Sequence, residues 1–177
     1  MSRKRFLAIV DPWANPMPHD VEEFPHLESD ISIQCQLIHN QLSRLRPLFD
    51  EIIVVDSGVT PHPLFDELYN IGGFIPGDLY YDQVNFEKSY YLEDKQDWDA
   101  WFCGFHYGRC IQGKINDIIK VCGWDYSRFH IIENLSFLFP GDEKRRWSKW
   151  DVNIEISKNV KKYNWDYVGK LTELNEK

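Results

Sequence analysis

Three side chains capable of covalent chemistry stand just beyond short segments that read as strands in this 177-residue chain. Asp11 closes the run 6–10, Lys88 follows 84–87, and Cys110 comes shortly after 100–104. A cysteine attacks only as its thiolate, so its neighbours decide what it can do. A helix N-terminus offers partial positive charge and free N–H groups, and a lysine nearby adds a full charge; both favour the anion. An aspartate in the same crevice takes the thiol proton as a general base. Together the three describe a nucleophilic hydrolase, in which the thiol attacks a carbonyl carbon and water later resolves the thioester. Taken singly, each has a blander role. Asp11 can cap a turn with Pro12, Cys110 can be a buried structural thiol, and Lys88 a solvated lysine. The argument rests on all three lying at strand ends.

The elements that must position them follow from hydrophobic periodicity. Residues 6–10, Phe-Leu-Ala-Ile-Val, form a continuous apolar run, the mark of a strand buried on both faces. A long loop to residue 28 follows. Ile31, Cys35, Ile38, Leu42, Leu45 and Phe49 then recur at spacings of 4, 3, 4, 3 and 4, one helical stripe that Ser29 or Asp30 can cap. Residues 52–55 are β-branched, so strand, helix and strand make a βαβ unit with a parallel sheet. The segment 57–82 holds Pro61, Pro63, Pro76 and four glycines, and reads as loop with a short helix at 63–70. Further strands are expected at 84–87, 100–104 and 130–133. A helix is expected from Cys110, with Ile111, Ile115, Ile118 and Cys122 on one face. A polar loop at 140–148 precedes a helix from about 149 to 163, and 163–168 is the last edge strand. The whole chain, 1–177, reads as a single α/β domain. Its fold class is three-layer and Rossmann-like, a parallel sheet of five to six strands with helices on both faces. Ligands in such sheets bind beyond the carboxyl ends of the strands.

Composition narrows the function classes. Lys plus Arg is 20 and Asp plus Glu is 28, a net charge of −8. So acidic a chain is a poor general binder of nucleic acid, which needs a basic face. No run approaches the ~18 apolar residues of a membrane span, and the apolar stretch after Met-Ser-Arg-Lys-Arg is too short for a secretory h-region. Cys35, Cys103, Cys110 and Cys122 form no CxxC pair, so free thiols in a cytoplasmic protein are expected. The basic run Lys144, Arg145, Arg146 reads as a solvated loop.

The order and spacing of these residues resemble the isochorismatase-like cysteine hydrolases, which include nicotinamidases and carbamoylsarcosine amidohydrolases. That pattern has an Asp ending the first strand, a Lys after the third, and a Cys opening the helix after the fourth. It places a Gly six residues before the Cys, as Gly104 stands before Cys110, and an aliphatic residue after it, as Ile111 does. The resemblance implies catalytic Asp11, Lys88 and Cys110. It implies a cis peptide before His106, and an oxyanion hole built from the backbone N–H groups of His106 and Cys110. It also implies a small-molecule substrate and a homo-oligomer. Tyr107, Gly108 and Arg109 depart from the family's usual residues. The stretch from Lys88 to Gly104 is short for the family's intervening helix, which makes Lys95 a rival for the lysine position. Nicotinamidases hold a metal with an Asp and several His. Here Asp56 and His62 match two places while Gly58 occupies another, so no metal and no other cofactor is expected. Trp13 and Tyr107 are candidate walls of a substrate pocket. The function expected is hydrolysis of a small amide or related C–N bond; the rival is a noncatalytic binding or assembly protein on the same scaffold.

Overall fold

Runs of β-branched and aromatic residues, spaced by amphipathic helices, assemble here into one sheet with an apolar cluster on each face. The computed structural model describes residues 3–15, 22, 24–56, 60–72, 89–138, 156 and 158–174. The strands are β1 (Arg5–Val10), β2 (Glu51–Val55), β3 (Tyr69–Ile71), β4 (Asp99–Phe105), β5 (Phe129–Phe137), β6 (Lys161–Trp165) and β7 (Leu171–Glu173). Their order is β3-β2-β1-β4-β5-β6-β7. β1 to β6 are parallel, and β7 runs antiparallel to β6. Helix α1 (Leu27–Leu45) links β1 to β2, and α2 (Cys110–Cys122) links β4 to β5.

Alternation along the strands sends side chains to the two faces. Leu7, Ile9, Val54, Trp101 and Phe105 pack with Ile31, Cys35 and Ile38 of α1. Phe6, Ala8, Val10, Ile53 and Phe102 pack with Ile111, Ile115 and Ile118 of α2. The α/β, mainly parallel three-layer architecture is therefore the expected one.

The details differ where local patterns are short. Among the described residues the sheet has seven strands rather than five or six, because two short strands join its edges: β3 pairs with β2, and β7 returns on β6 through a hairpin. In that hairpin the Asp166 carboxylate accepts the N–H groups of Val168, Gly169 and Lys170. The segment 63–70 is not a helix; a single 3₁₀ turn, Pro63–Phe65, leads into β3. Three residues, two of them exposed, carry no readable period. The strand expected at 84–87 lies outside the described residues. The helix expected to reach residue 163 has ended before β6, whose own span starts earlier than 163 and is not an edge. Helix α1 starts at Leu27 without a side-chain cap, Ser29 Oγ instead donating to the His26 carbonyl at 2.8 Å. It stops short of Phe49 because Pro47 lacks the N–H that would continue it, and the chain tightens into a 3₁₀ turn. Among the described residues no helix is long and apolar enough to cross a membrane.

The β4–β5 ladder is interrupted. Phe102 faces Ile131, but Gly104 faces Ser136, so β5 bulges between. The Asn134 side chain in the bulge donates to the Trp165 carbonyl at 2.7 Å and accepts its N–H at 2.8 Å. An amide side chain thus continues the ladder to β6 where the backbone has turned away.

Candidate active site

The strand order changes direction at β1, with β2 on one side of it and β4 on the other. The carboxyl ends of these neighbours diverge there, opening the crevice in which open α/β sheets hold ligands. Asp11 ends β1 on this crevice, and Cys110 opens α2 after β4. The structure brings the two together: the Cys110 thiol and the Asp11 carboxylate share a hydrogen bond.

The local chain explains how. Asp11 is fully buried and takes a left-handed backbone conformation, φ +48°, which aspartate tolerates better than most residues. Its N–H donates to the Val55 carbonyl at 2.8 Å, extending the β1–β2 ladder by one bond. Trp13 N–H then donates to the Asp11 carbonyl at 2.8 Å. On the other strand Gly104, φ +104°, lies against β1 so tightly that a Cβ there would stand 2.8 Å from the Val10 nitrogen. That is why a glycine occupies this place. The Phe105–His106 peptide is cis, as the resemblance implied. The His106 carbonyl accepts the Arg109 N–H at 3.0 Å, and Tyr107 N–H donates to Phe137 at 2.8 Å, so the turn before Cys110 is held from both sides.

The electrostatics of the thiol differ from expectation. Burial, followed by the Asp11 charge and its hydrogen bond, pushes the Cys110 thiol up to about 12. The backbone N–H of His106 and the Lys114 ammonium pull the other way and do not prevail. The resting group is therefore a thiol donating to a carboxylate, not a thiolate formed in advance by the helix N-terminus. Lys114 was not singled out in the sequence, although its position one turn after Cys110 puts both on the same helix face.

The remaining candidates separate. His106 is buried, and its ring meets Trp13 edge-on at 5.5 Å between centroids. Trp13 is also buried, its loop bridged to Pro61. Tyr107 packs into the core cluster on the α2 face. Lys88 lies outside the described residues. Lys95, its rival, stands at the opposite, amino end of the sheet, three residues before Trp98. There its ammonium sits 3.6 Å from Glu51, the first residue of β2, and 3.9 Å from the centre of the Tyr91 ring. A lysine held by a carboxylate and a π-face at that end cannot reach Cys110, so Lys95 is excluded. For a metal, His62 Nδ1 already accepts the Leu64 N–H at 3.3 Å, and among the described residues no three His, Cys, Asp or Glu gather. The described residues do not make up a metal site.

Comparison with known proteins agrees at the level of the fold. No family model matches the chain, and no curated relative matches its sequence. The solved structure of the pyrazinamidase of Pyrococcus horikoshii in complex with zinc aligns with a TM-score of 0.53 at 13% identity, covering 92% of this chain and 99% of that one. An isochorismatase-like hydrolase from Alkaliphilus metalliredigens aligns with a TM-score of 0.49 at 12% identity, covering 91% and 94%. The class defined is thus an α/β protein that shares the fold of the pyrazinamidase structure, at a sequence identity of only 13%.

Proposed function

We propose that this chain is a cysteine hydrolase cleaving the C–N bond of a small amide through a thioester on Cys110. The observation that carries the reading is the hydrogen bond between the Cys110 thiol and the buried Asp11 carboxylate at the sheet's switch point. A thiol that holds its proton at rest needs a base at the moment of attack, and Asp11 is placed to be that base. In this reading Sγ attacks the carbonyl carbon as its proton passes to Asp11. The carbonyl oxygen becomes an oxyanion, received by the N–H groups of His106 and Cys110. The His106 N–H already points at the sulfur, and the Cys110 N–H belongs to the helix's first turn, where such groups have no intrahelical acceptor. Asp11 then returns the proton to the leaving nitrogen, the C–N bond breaks, and the thioester remains. Water, deprotonated by Asp11, resolves it and regenerates the thiol. Lys88 stays part of the proposal as the cation of the set, and the sequence resemblance supports it. Likeness to a pyrazinamidase fold supports a small primary carboxamide borne on a ring as a first substrate class to try. A homo-oligomer and a cytoplasmic location belong to the same reading.

The test is hydrolysis across a panel of small amides, with intact-mass detection of an acyl adduct on wild type and on Cys110→Ala. Wild type is expected to release ammonia and carry a transient adduct; Cys110→Ala is expected to do neither while keeping its melting temperature. No turnover and no adduct on the whole panel would favour the rival, a noncatalytic protein on this scaffold.

A further inference from the structure

Helix α2 carries a second charged group close to the nucleophile. Cys110 and Lys114 stand four residues apart on it, so they share one face with Cβ atoms about 5–6 Å apart. Side chains in a helix tilt toward its N-terminus, which leans the Lys114 stem back over the turn that Cys110 opens. Ile111, Ile115 and Ile118 form the buried stripe beside this face. Cys110 and Lys114 are half-buried along its border, and Asp117 and Val121 continue the row into solvent. The Asp11 carboxylate, from the end of β1, and the Lys114 ammonium, from α2, both act on the Cys110 sulfur, with opposite sign.

We propose that Lys114 is a positioning residue for charge: its ammonium stabilises the Cys110 thiolate as the thiol proton passes to Asp11. In that step the S–H bond breaks, an O–H bond forms on the carboxylate, and the negative charge moves from oxygen to sulfur. A cation on the sulfur's own helix makes the thiolate less costly in a site where burial opposes it. Its distance from the sulfur is set by helix geometry, not by the docking of a separate segment. Lys114 lies outside the strand-end pattern of Asp11, Lys88 and Cys110. Its effect on turnover rests on the amide-hydrolase reading; its effect on the thiol does not.

The experiment is peptide-mapped alkylation of Cys110 by iodoacetamide across a range of alkaline pH. It compares wild type with Lys114→Arg, Lys114→Gln and Lys114→Glu. Lys114→Arg keeps the charge and is expected to label like wild type. Lys114→Gln is expected to label about 2–5-fold more slowly and Lys114→Glu about 5–20-fold more slowly, because less of the sulfur is thiolate. Equal rates in all four proteins, or Lys114→Arg as slow as Lys114→Gln, overturn the proposal. So does faster labelling in Lys114→Gln, the mark of a loosened helix. Three variants keep the ranking readable if one does not fold. On any amide that is hydrolysed, kcat/KM is expected to fall in the same order. The alkylation ranking without turnover of any amide would keep the charge role of Lys114 and remove the hydrolase reading. Turnover without the ranking would do the reverse.

Discussion

At the scale of the residue, the thiol of Cys110 and the carboxylate of Asp11 oppose each other in a way that separates reactivity from catalysis. The Asp11 charge and hydrogen bond both raise the thiol's pKa, so removing them lowers it. Asp11→Asn is therefore expected to speed alkylation of Cys110 by iodoacetamide at pH 8, by about 3–10-fold, because more of the sulfur is thiolate. The same change is expected to slow amide hydrolysis by ~10²–10⁴-fold, since an amide cannot accept the thiol proton. Peptide-mapped alkylation rates beside ammonia release check both. Slower labelling in the variant would show that Asp11 activates the thiol at rest. In wild type, Cys110 is expected to label no faster than the half-exposed Cys122, contrary to what a helix-start cysteine suggests.

At the scale of the element, two glycines nine residues apart do opposite things. Gly104 combines a left-handed φ with backbone contact to Val10, and neither neighbour is a flexible side chain. Gly104→Ala is expected to destabilise by about 3–5 kcal/mol, adding overpacking to the left-handed penalty. Gly113 sits inside α2 with open space around its would-be Cβ. Gly113→Ala is expected to stabilise by about 0.5–1 kcal/mol through helix propensity and a less flexible unfolded chain. Urea denaturation of both variants measures the contrast. A tolerated Gly104→Ala would mean that β4 shifts away from β1, and with it the approach of Asp11 to Cys110.

At the scale of the whole molecule, one buried histidine makes stability depend on pH. His130 of β5 stacks on Trp101 of β4 at 4.4 Å between ring centres and leans on Tyr163 of β6. Burial holds its pKa down at about 4; Asp99, 3.9 Å from Nε2, pulls it up, while Lys161 and Arg5 add to the lowering. Between pH 6.5 and 4 the unfolded chain binds a proton that the folded chain does not. The contribution of neutral His130 is therefore complete above pH 6.5 and is lost as pH falls toward 4, by about 3 kcal/mol in all. His130→Phe keeps the stack and removes the proton. Its stability relative to wild type is expected to rise by that amount between pH 7 and pH 4, measured by urea midpoints at each pH. A difference independent of pH would show that the site opens to water before it titrates.

Much of this molecule is written in local pattern. The apolar run of β1, the stripe of α1 and the Gly104–Cys110 spacing suffice for a parallel α/β sheet with Asp11 and Cys110 at strand ends. Side-chain type and period are local properties, so a single chain displays them. The three-residue strands β3 and β7 are too short to show a period, and exist because β2 and β6 offer them edges. The sequence ranks Lys95 and Lys88 as rivals, whereas the sheet places Lys95 at its amino end, beside Glu51. The ionisation of Cys110 was likewise beyond reach. A helix start and nearby cations are visible in sequence and argue for a thiolate. Desolvation by packed neighbours and the carboxylate of a residue 99 positions away argue against it, and prevail. Charge state depends on what the fold removes from water and sets side by side, and those distances exist only once the strands have found their order.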